Sequence, residues 1–348
     1  MKLGSDMYRL LKAIPIAALA SFLAASAFAG DLLPIKFTLD WKTQGVHAWF
    51  YLAKENGYFK DEGLDVQIDQ GEGSAATVTR VISGAYDAGF GDVNAIVQAA
   101  GTAGISPPVM VYMIYNKAPL ALFTKANSGI TSIAAMSGKR LGSPAGAAAL
   151  RLFPVLAKTN GIDPGSVEIV NMAPNLIEQM LVNNQVDISA GFTVTSYINL
   201  FAEGQNPDKD YRWFFYSDYG LPLYSNGVMV SRALVRDHPD AAAGLVRAVN
   251  RALKEVVADR QKAIDLLLRL EPLLNAAIER RRLDYAINEL IATPEEAQIG
   301  LGDMTDARLH TAISTIVDAY QLKSTPDTSD IFDRSFLPAR VDRRLPAE

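Results

Sequence analysis

Cysteine is missing from the 348-residue chain, which excludes a disulfide framework, a thiolate nucleophile, a cysteine-ligated metal and an acylated-cysteine lipid anchor. Histidine is nearly as scarce. His47, His238 and His310 are the only three; no two stand at i, i+4, so no metal-binding pattern forms and no metal is expected. Basic residues are outnumbered, 33 Lys and Arg against 38 Asp and Glu for a net charge of −5, and an acidic chain argues against a nucleic-acid partner. Beyond Phe28 no apolar run approaches the ~20 residues of a membrane span, so no membrane insertion of the mature chain is expected.

The N-terminus has a different character. Lys2, Arg9 and Lys12 precede an apolar, alanine-rich run from Ala13 to Phe28 that closes on Ala27-Phe28-Ala29, the order of a secretory signal peptide over residues 1–29 with cleavage near Ala29. Its removal takes Asp6 together with three basic residues and leaves the remainder two charges more negative. With no anchor, the expectation is a soluble periplasmic protein.

The stretch from Ile35 to Val66 organises the rest of the chain. Ile35, Phe37 and Leu39 alternate with Lys36, Thr38 and Asp40, the period of a strand, whereas Val46, Trp49, Phe50 and Ala53 fall at i, i+3, i+4, i+7, the period of a helix. Thr43 is a candidate N-cap and Gly57 a C-terminal stop. Asp40, Trp41, Gln44 and His47 then sit where a strand ends and a helix begins, the edge at which open α/β sheets bind ligands. Further strands are expected over Leu64–Ile68, Tyr86–Phe90 and Val109–Tyr115, alternating with helices; that pattern gives a parallel sheet with helices on its faces.

Ile82-Ser-Gly-Ala-Tyr-Asp-Ala-Gly-Phe90 is echoed by Val182-Asn-Asn-Gln-Val-Asp-Ile-Ser-Ala-Gly-Phe192. Either βαβ proteins simply reuse such a turn, or there are two lobes of similar build. Extended segments at Pro119–Thr124 and Leu223–Val230 would be the two crossings of a hinge. Pro239–Leu322 reads as helical nearly throughout, expected to pack on the first lobe, and Ser324–Glu348 as an extended tail.

Motifs with chemical meaning are few. Gly71-x-Gly73-x-x-Ala76 follows the second strand rather than the first and carries Glu72 where phosphates would sit, so a nucleotide role is disfavoured, although the helix start could donate N–H groups to a smaller anion. Gly142-Ser-Pro-Ala-Gly146 places its serine one position from that of a nucleophile elbow. Neither His238 nor His310 offers that serine a partner, so the stretch reads as hydrogen-bond donors at a helix start. Trp49 and Phe50 lie on the apolar stripe and are read as core. Trp41, between Asp40 and Lys42 at a strand end, is read as a cleft residue able to stack on a flat ligand.

Leu39-Asp-Trp41 with His47, Glu55-Asn-Gly-Tyr-Phe-Lys-Asp-Glu-Gly-Leu-Asp-Val66 and Gly84-Ala-Tyr-Asp-Ala-Gly89 resemble the thiamine-pyrimidine type of ABC-transporter substrate-binding protein, within a group that includes sulfonate, taurine and nitrate binders. Ala118–Thr124, Ser137–Gly142 and Val186–Gly191 extend the likeness, which covers roughly residues 33–260. The resemblance implies an α/β, two-lobed, type II periplasmic-binding fold, with a hinge of two crossing segments and a helical C-terminal region. In this division residues 30–122 and 224–323 form lobe 1, residues 123–223 form lobe 2, and 324–348 are the tail. It also implies capture of a small molecule for a membrane permease and its ATPase, by a monomer without cofactor or catalytic residues. The family's cleft positions carry over to Asp40, Trp41, His47, Ser74, Gly91, Asp92, Asn94, Ser143 and Gly146. Asn171, Asn175, Phe192, Thr193, Tyr197 and Tyr224 join them as residues after predicted strand ends or at the hinge.

A pyrimidine synthase of the same fold group is the enzymatic alternative. That enzyme consumes its own histidine and holds pyridoxal phosphate on a lysine, both just after the strand matching Asp87–Phe90; here Gly91-Asp-Val-Asn-Ala-Ile-Val97 contains neither. Its cysteine-rich iron motif is missing as well. Asp40 beside Trp41 points to a planar pyrimidine with N–H donors, and the helix starts at Ser74 and Ser143 to a sulfonate, nitrate or aromatic acid.

Overall fold

A computed structural model describes residues 31–345. The signal-peptide reading and its cleavage point at Ala29 fall outside them. Among the described residues there are ten strands: β1 (Leu33–Thr38), β2 (Leu64–Asp69), β3 (Ala88–Asp92), β4 (Val109–Met113), β5 (Leu120–Lys125), β6 (Arg140–Ser143), β7 (Glu168–Asn171), β8 (Ile188–Phe192), β9 (Tyr211–Phe215) and β10 (Asn226–Val230). They form two five-stranded sheets ordered β2-β1-β3-β10-β4 and β7-β6-β8-β5-β9.

The sheets share one plan. In the first, β1 runs parallel to β2 and β3, and β10 lies antiparallel to β3 and β4. In the second, β6 runs parallel to β7 and β8, and β5 lies antiparallel to β8 and β9. Each antiparallel strand reaches its sheet from the other one: the chain passes over at 114–119 and returns at 216–225. The extended segments expected as crossings are thus β5 and β10 themselves, paired on both sides. β3, β4 and β10 are buried along their whole length, as the small and apolar residues of Ala88–Phe90 and Val109–Met113 allow.

The sequence echo falls on equivalent elements. Ile82 and Val182 end the helices Ser74–Ile82 and Ile177–Val182, and Phe90 and Phe192 lie in β3 and β8. Asp87 Oδ2 accepts the Lys36 backbone N–H at 2.8 Å while its own N–H donates to the Lys36 carbonyl at 3.0 Å. Asp187 repeats the arrangement on Arg140, at 2.9 and 3.0 Å. Both aspartates commit their carboxylates to a neighbouring parallel strand, at Lys36 within β1 and at Arg140 opening β6, and β3 begins at Ala88, not at the expected Tyr86.

The C-terminal helices depart from expectation. Pro239–Ala258 packs on Ala48–Glu55 as expected, but Ala276–Tyr285 also meets Thr193–Ala202, and Asp306–Tyr320 meets both Val93–Ala100 and Ala148–Thr159. The reason is apolar continuity: Leu309, Ile313 and Ile316 share one buried cluster with Ile96 and Val97 and with Leu152, Phe153 and Leu156, and separating them would expose that surface. The tail is not simply extended. Short turns at Thr328–Ile331, Arg334–Phe336 and Arg340–Arg343 interrupt it, and Phe332 pairs with Met110 at the outer side of β4, covering an otherwise open sheet edge.

The matched aspartates make a quantitative expectation. Asp87→Ala removes one charge-assisted bond to a backbone N–H and should cost about 1–2 kcal/mol. Asp187→Ala should cost more, because Asp187 also holds the Arg140 guanidinium at 3.0 and 3.2 Å. Urea denaturation of both single variants and the double variant checks this; near-additive losses are expected for two separate sites.

Candidate functional site

Past β1 the chain makes a polar turn held by side-chain hydrogen bonds. The Gln44 backbone N–H donates to His47 Nδ1 at 3.0 Å, so that nitrogen is the acceptor and the ring proton sits on Nε2. From there it donates to Asp40 Oδ1 at 2.8 Å. The other carboxylate oxygen accepts from Asn226 Nδ2 at 2.8 Å. Asp40, His47 and Asn226 are 6%, 0% and 0% exposed, so a neutral imidazole and an amide supply what water would have given the carboxylate. The helix-start role expected of Thr43 belongs to Gln44 and His47, which form a reciprocal capping box; Thr43 instead bonds the Tyr51 hydroxyl at 3.0 Å. Gly57, at φ +76°, does follow the helix end at Glu55.

The glycines of the Gly71-x-Gly73 motif serve close backbone approach. A Cβ on Gly71 would stand 2.1 Å from the Leu39 carbonyl oxygen, and one on Gly73, at φ +141°, 2.1 Å from that of Gly146. Gly73 N–H donates to the Asp40 carbonyl at 2.8 Å, while Ala75 and Ala76 N–H donate to the Gly146 carbonyl at 3.2 and 3.4 Å. The helix start at Ser74, expected as an anion site, is therefore occupied by a backbone oxygen of the second sheet's side. The other expected anion donor is engaged too: Ser143 is buried, and its hydroxyl donates to the Ala190 carbonyl at 2.9 Å.

Between the sheets lies a cavity with walls from both. Asp40, Trp41, Gln44, Val46, His47 and Ser74 form one wall; Ala147–Ala149, Ile177, Gly191, Phe192 and Val194–Ser196 form the other, and Tyr115 of the crossing segment completes it. The space between these walls is about 490 Å3, of which about 30 Å3 is open to the centre of a water molecule. The walls are drawn together. Thr195 Oγ1 reaches Gln44 Oε1 at 3.2 Å, and Trp41, half-buried, packs against the second sheet's cluster of Ile177 and Leu181. Among the described residues no lysine or arginine lines the cavity.

Of the expected site residues, Asp40, Trp41, His47, Ser74 and Phe192 meet at this cavity. The others do not line it, each for a visible reason. Gly91 gives close packing between β3 and the Ser74–Ile82 helix, where a Cβ would lie 2.8 Å from the Ser74 carbonyl oxygen. Asp92 is the buried N-cap of Val93–Ala100, accepting the backbone N–H and side-chain amide of Asn94 at 3.2 and 2.7 Å; that amide also donates to the Tyr224 carbonyl at 2.8 Å. Gly146 holds the Ser74 helix start, and Ser143 ties β6 to β8. Asn171 and Asn175 are exposed. Thr193 accepts the Tyr285 hydroxyl at 2.9 Å and Tyr197 donates to Asp208 at 3.0 Å, both along a separate open groove with Trp213. The Tyr224 hydroxyl bonds Glu295 and, at 3.2 Å, Thr305.

Tyr115, Ile177 and Val194–Ser196 were not legible as site residues, because nothing in their spacing separates them from core. Behind them Glu178 is buried, and burial raises its carboxyl pKa against the opposing pull of the neighbouring Ser196 hydroxyl. Pyridoxal phosphate does not fit the cavity, whose described lining offers no lysine to hold it and a histidine with both nitrogens engaged. Among the described residues no cluster of three acidic or histidine side chains could ligate a metal.

Burial pushes the Asp92 carboxyl up to about 7. Since the folded value lies above the unfolded one, the native state binds the extra proton, and stability falls as pH rises from about 4 through 7. Asp92→Asn keeps an acceptor for Asn94 and cannot ionise. It should melt above the wild type at pH 8 and close to it at pH 4; an equal difference at both pH values would place the effect elsewhere.

The family described as NMT1/THI5 like matches residues 44–263. The riboflavin-binding protein RibY of Chloroflexus aurantiacus is 26% identical, over 83% of this chain and 82% of its own length. The formylaminopyrimidine-binding protein of Halalkalibacterium halodurans is 26% identical over 67% and 69%. The 4-amino-5-hydroxymethyl-2-methylpyrimidine phosphate synthase of Aspergillus parasiticus is 23% identical over 71% and 73%. Among solved structures, the alkanesulfonate-binding protein SsuA of Xanthomonas axonopodis pv. citri bound to MOPS superposes with a TM-score of 0.65 at 16% identity, over 86% of this chain and 96% of that one. The fold is thus that of a two-lobed periplasmic binding protein.

Proposed function

We propose, from the premise that the chain belongs to the NMT1/THI5-like family, that it is an extracytoplasmic solute-binding protein that captures a small planar molecule between two lobes and delivers it to an ABC permease and its ATPase. A substituted pyrimidine of the thiamine-precursor type is the favoured ligand. The lobes are taken as residues 30–122 with 224–323, and 123–223, of a monomer exported on residues 1–29.

The cavity lining carries this reading: one carboxylate, three aromatic side chains in Trp41, Tyr115 and Phe192, and no cation among the described residues. An indole face and aromatic walls favour a flat ring. Each Asp40 oxygen already takes one donor and keeps a second lone pair, so a ring amino or N–H group is the complementary partner. A sulfonate or nitrate would meet a carboxylate and find the helix start at Ser74 occupied. Catalysis of the synthase kind lacks its lysine, which supports binding without turnover.

A ligand at a hundred times its dissociation constant adds about 2.7 kcal/mol, a melting shift of a few degrees for a protein of this size. In a thermal-shift panel of pyrimidines, riboflavin, aromatic acids, sulfonates and nitrate, pyrimidines should give the largest shift, and Trp41→Ala should abolish it. Stabilisation by sulfonates or nitrate alone would overturn the pyrimidine reading; an undiminished shift in Trp41→Ala would remove the indole from it.

A further inference from the structure

One ion pair touches both walls of the cavity from behind. Glu279 and Arg282 stand at i, i+3 on the helix Ala276–Tyr285, so they share a face, and they are 5% and 2% exposed. Glu279 Oε2 accepts from Arg282 Nε at 3.0 Å and from the Gly45 backbone N–H at 2.6 Å. Gly45 opens the turn that carries His47, and it has to be glycine: a Cβ there would lie 2.3 Å from the Glu279 carbonyl oxygen. Arg282 turns the other way. Its Nη1 donates to the carbonyls of Val194 and Thr195 at 2.7 and 3.2 Å, and its Nη2 to Asn199 Oδ1 at 2.9 Å. The turn belongs to one wall and the helix Thr193–Ala202 to the other.

We infer that Glu279 and Arg282 are a positioning pair, which sets the two walls in contact before any ligand arrives. The inference rests on the reading of this cavity as the binding cleft. A buried ion pair contributes little net stability, since desolvation offsets its attraction, and its better-attested effect is to fix register. Here the fork geometry of arginine matters. Three acceptors on one helix, and a carboxylate that itself holds Gly45, cannot all be met by the single ammonium of a lysine. The pair touches no cavity space itself; it acts through Gly45 on Gln44 and His47, and through Val194 and Thr195 on the second wall.

The test needs no ligand, so its outcome is separate from that of the ligand panel. Because the chain has no cysteine, Lys60→Cys and Glu168→Cys, exposed positions on the sides of the first and second sheet, can carry spin labels for a distance measurement by electron paramagnetic resonance. The otherwise unaltered protein should show a narrow population at the separation the structure gives. Arg282→Met should lose it to a longer, broader distribution, Arg282→Lys should restore it only in part, and Glu279→Gln, which keeps an acceptor for Gly45, should be affected less than Arg282→Met. Absence of the narrow population without ligand overturns the inference. So does its persistence in Arg282→Met with only a lower melting temperature. Should Arg282→Met fail to fold, Asn199→Ala removes one anchor alone, and an unchanged distribution there overturns the inference equally.

Discussion

Asp40 is a carboxylate with almost no access to water, and the cleft is arranged around keeping it satisfied. Its three neighbours come from distant parts of the chain. His47 comes from the turn after β1, Asn226 from the start of β10, and the Asp40 carbonyl takes the Gly73 N–H before the Ser74 helix. Loss of either side-chain donor would leave part of a buried carboxylate unsatisfied, at a cost of about 1–3 kcal/mol. The Asp40 backbone carbonyl ties in the Ser74 helix, and the carboxylate ties the end of β1 to β10 and to the following turn. It also fixes the histidine as a neutral Nε2–H tautomer, because Gln44 N–H already occupies Nδ1.

The architecture was largely legible in the sequence, and for a physical reason. Period-2 and period-3.6 patterns report burial: Ile35 and Phe37 are buried beside exposed Lys36, although Thr38 and Asp40 are buried as well toward the cleft, and Val46, Trp49, Phe50 and Ala53 are all buried. The Asp87 and Asp187 echo was legible as a likeness but not as a mechanism. Its cause, a carboxylate holding a backbone N–H of a neighbouring parallel strand, requires knowing that Lys36 and Arg140 lie on equivalent strands, β1 and β6. Helix periodicity also could not say which partner a helix would choose. The stripe of Leu309, Ile313 and Ile316 is equally apolar whether it covers one sheet's helices or both.

The site was half legible. Residues at the end of β1 could be placed because a strand-to-helix change of period marks a sheet edge, and Asp40, Trp41 and His47 do line the cavity. Polar residues at other helix starts look the same in sequence, yet Asp92 caps its own helix and Ser143 ties β6 to β8. Whether a polar side chain faces a ligand or its own backbone depends on groups that arrive from elsewhere, such as the Gly146 carbonyl. The second wall is less legible still: Ile177, Val194 and Thr195 are ordinary core residue types brought to the cavity by the lobe opposite.

These internal hydrogen bonds also bear on ligand class. Helix starts are general anion sites only while their N–H groups are free. Here Ala75 and Ala76 donate to Gly146, and in the Asp40 turn the Gln44, Gly45 and His47 N–H groups donate to His47 Nδ1, Glu279 and the Gln44 carbonyl. The cavity is faced by an aromatic surface, the outer lone pairs of a carboxylate, the hydroxyl of Ser196 and the start of the helix Ala148–Thr159 at Ala148 and Ala149. An anion entering this space would meet the Asp40 carboxylate and no lysine or arginine among the described lining residues, whereas N–H groups on a flat ring would be complementary to that carboxylate. At Ser74 the place that an anion would take at a helix start is filled by the Gly146 backbone oxygen from the other side of the cavity.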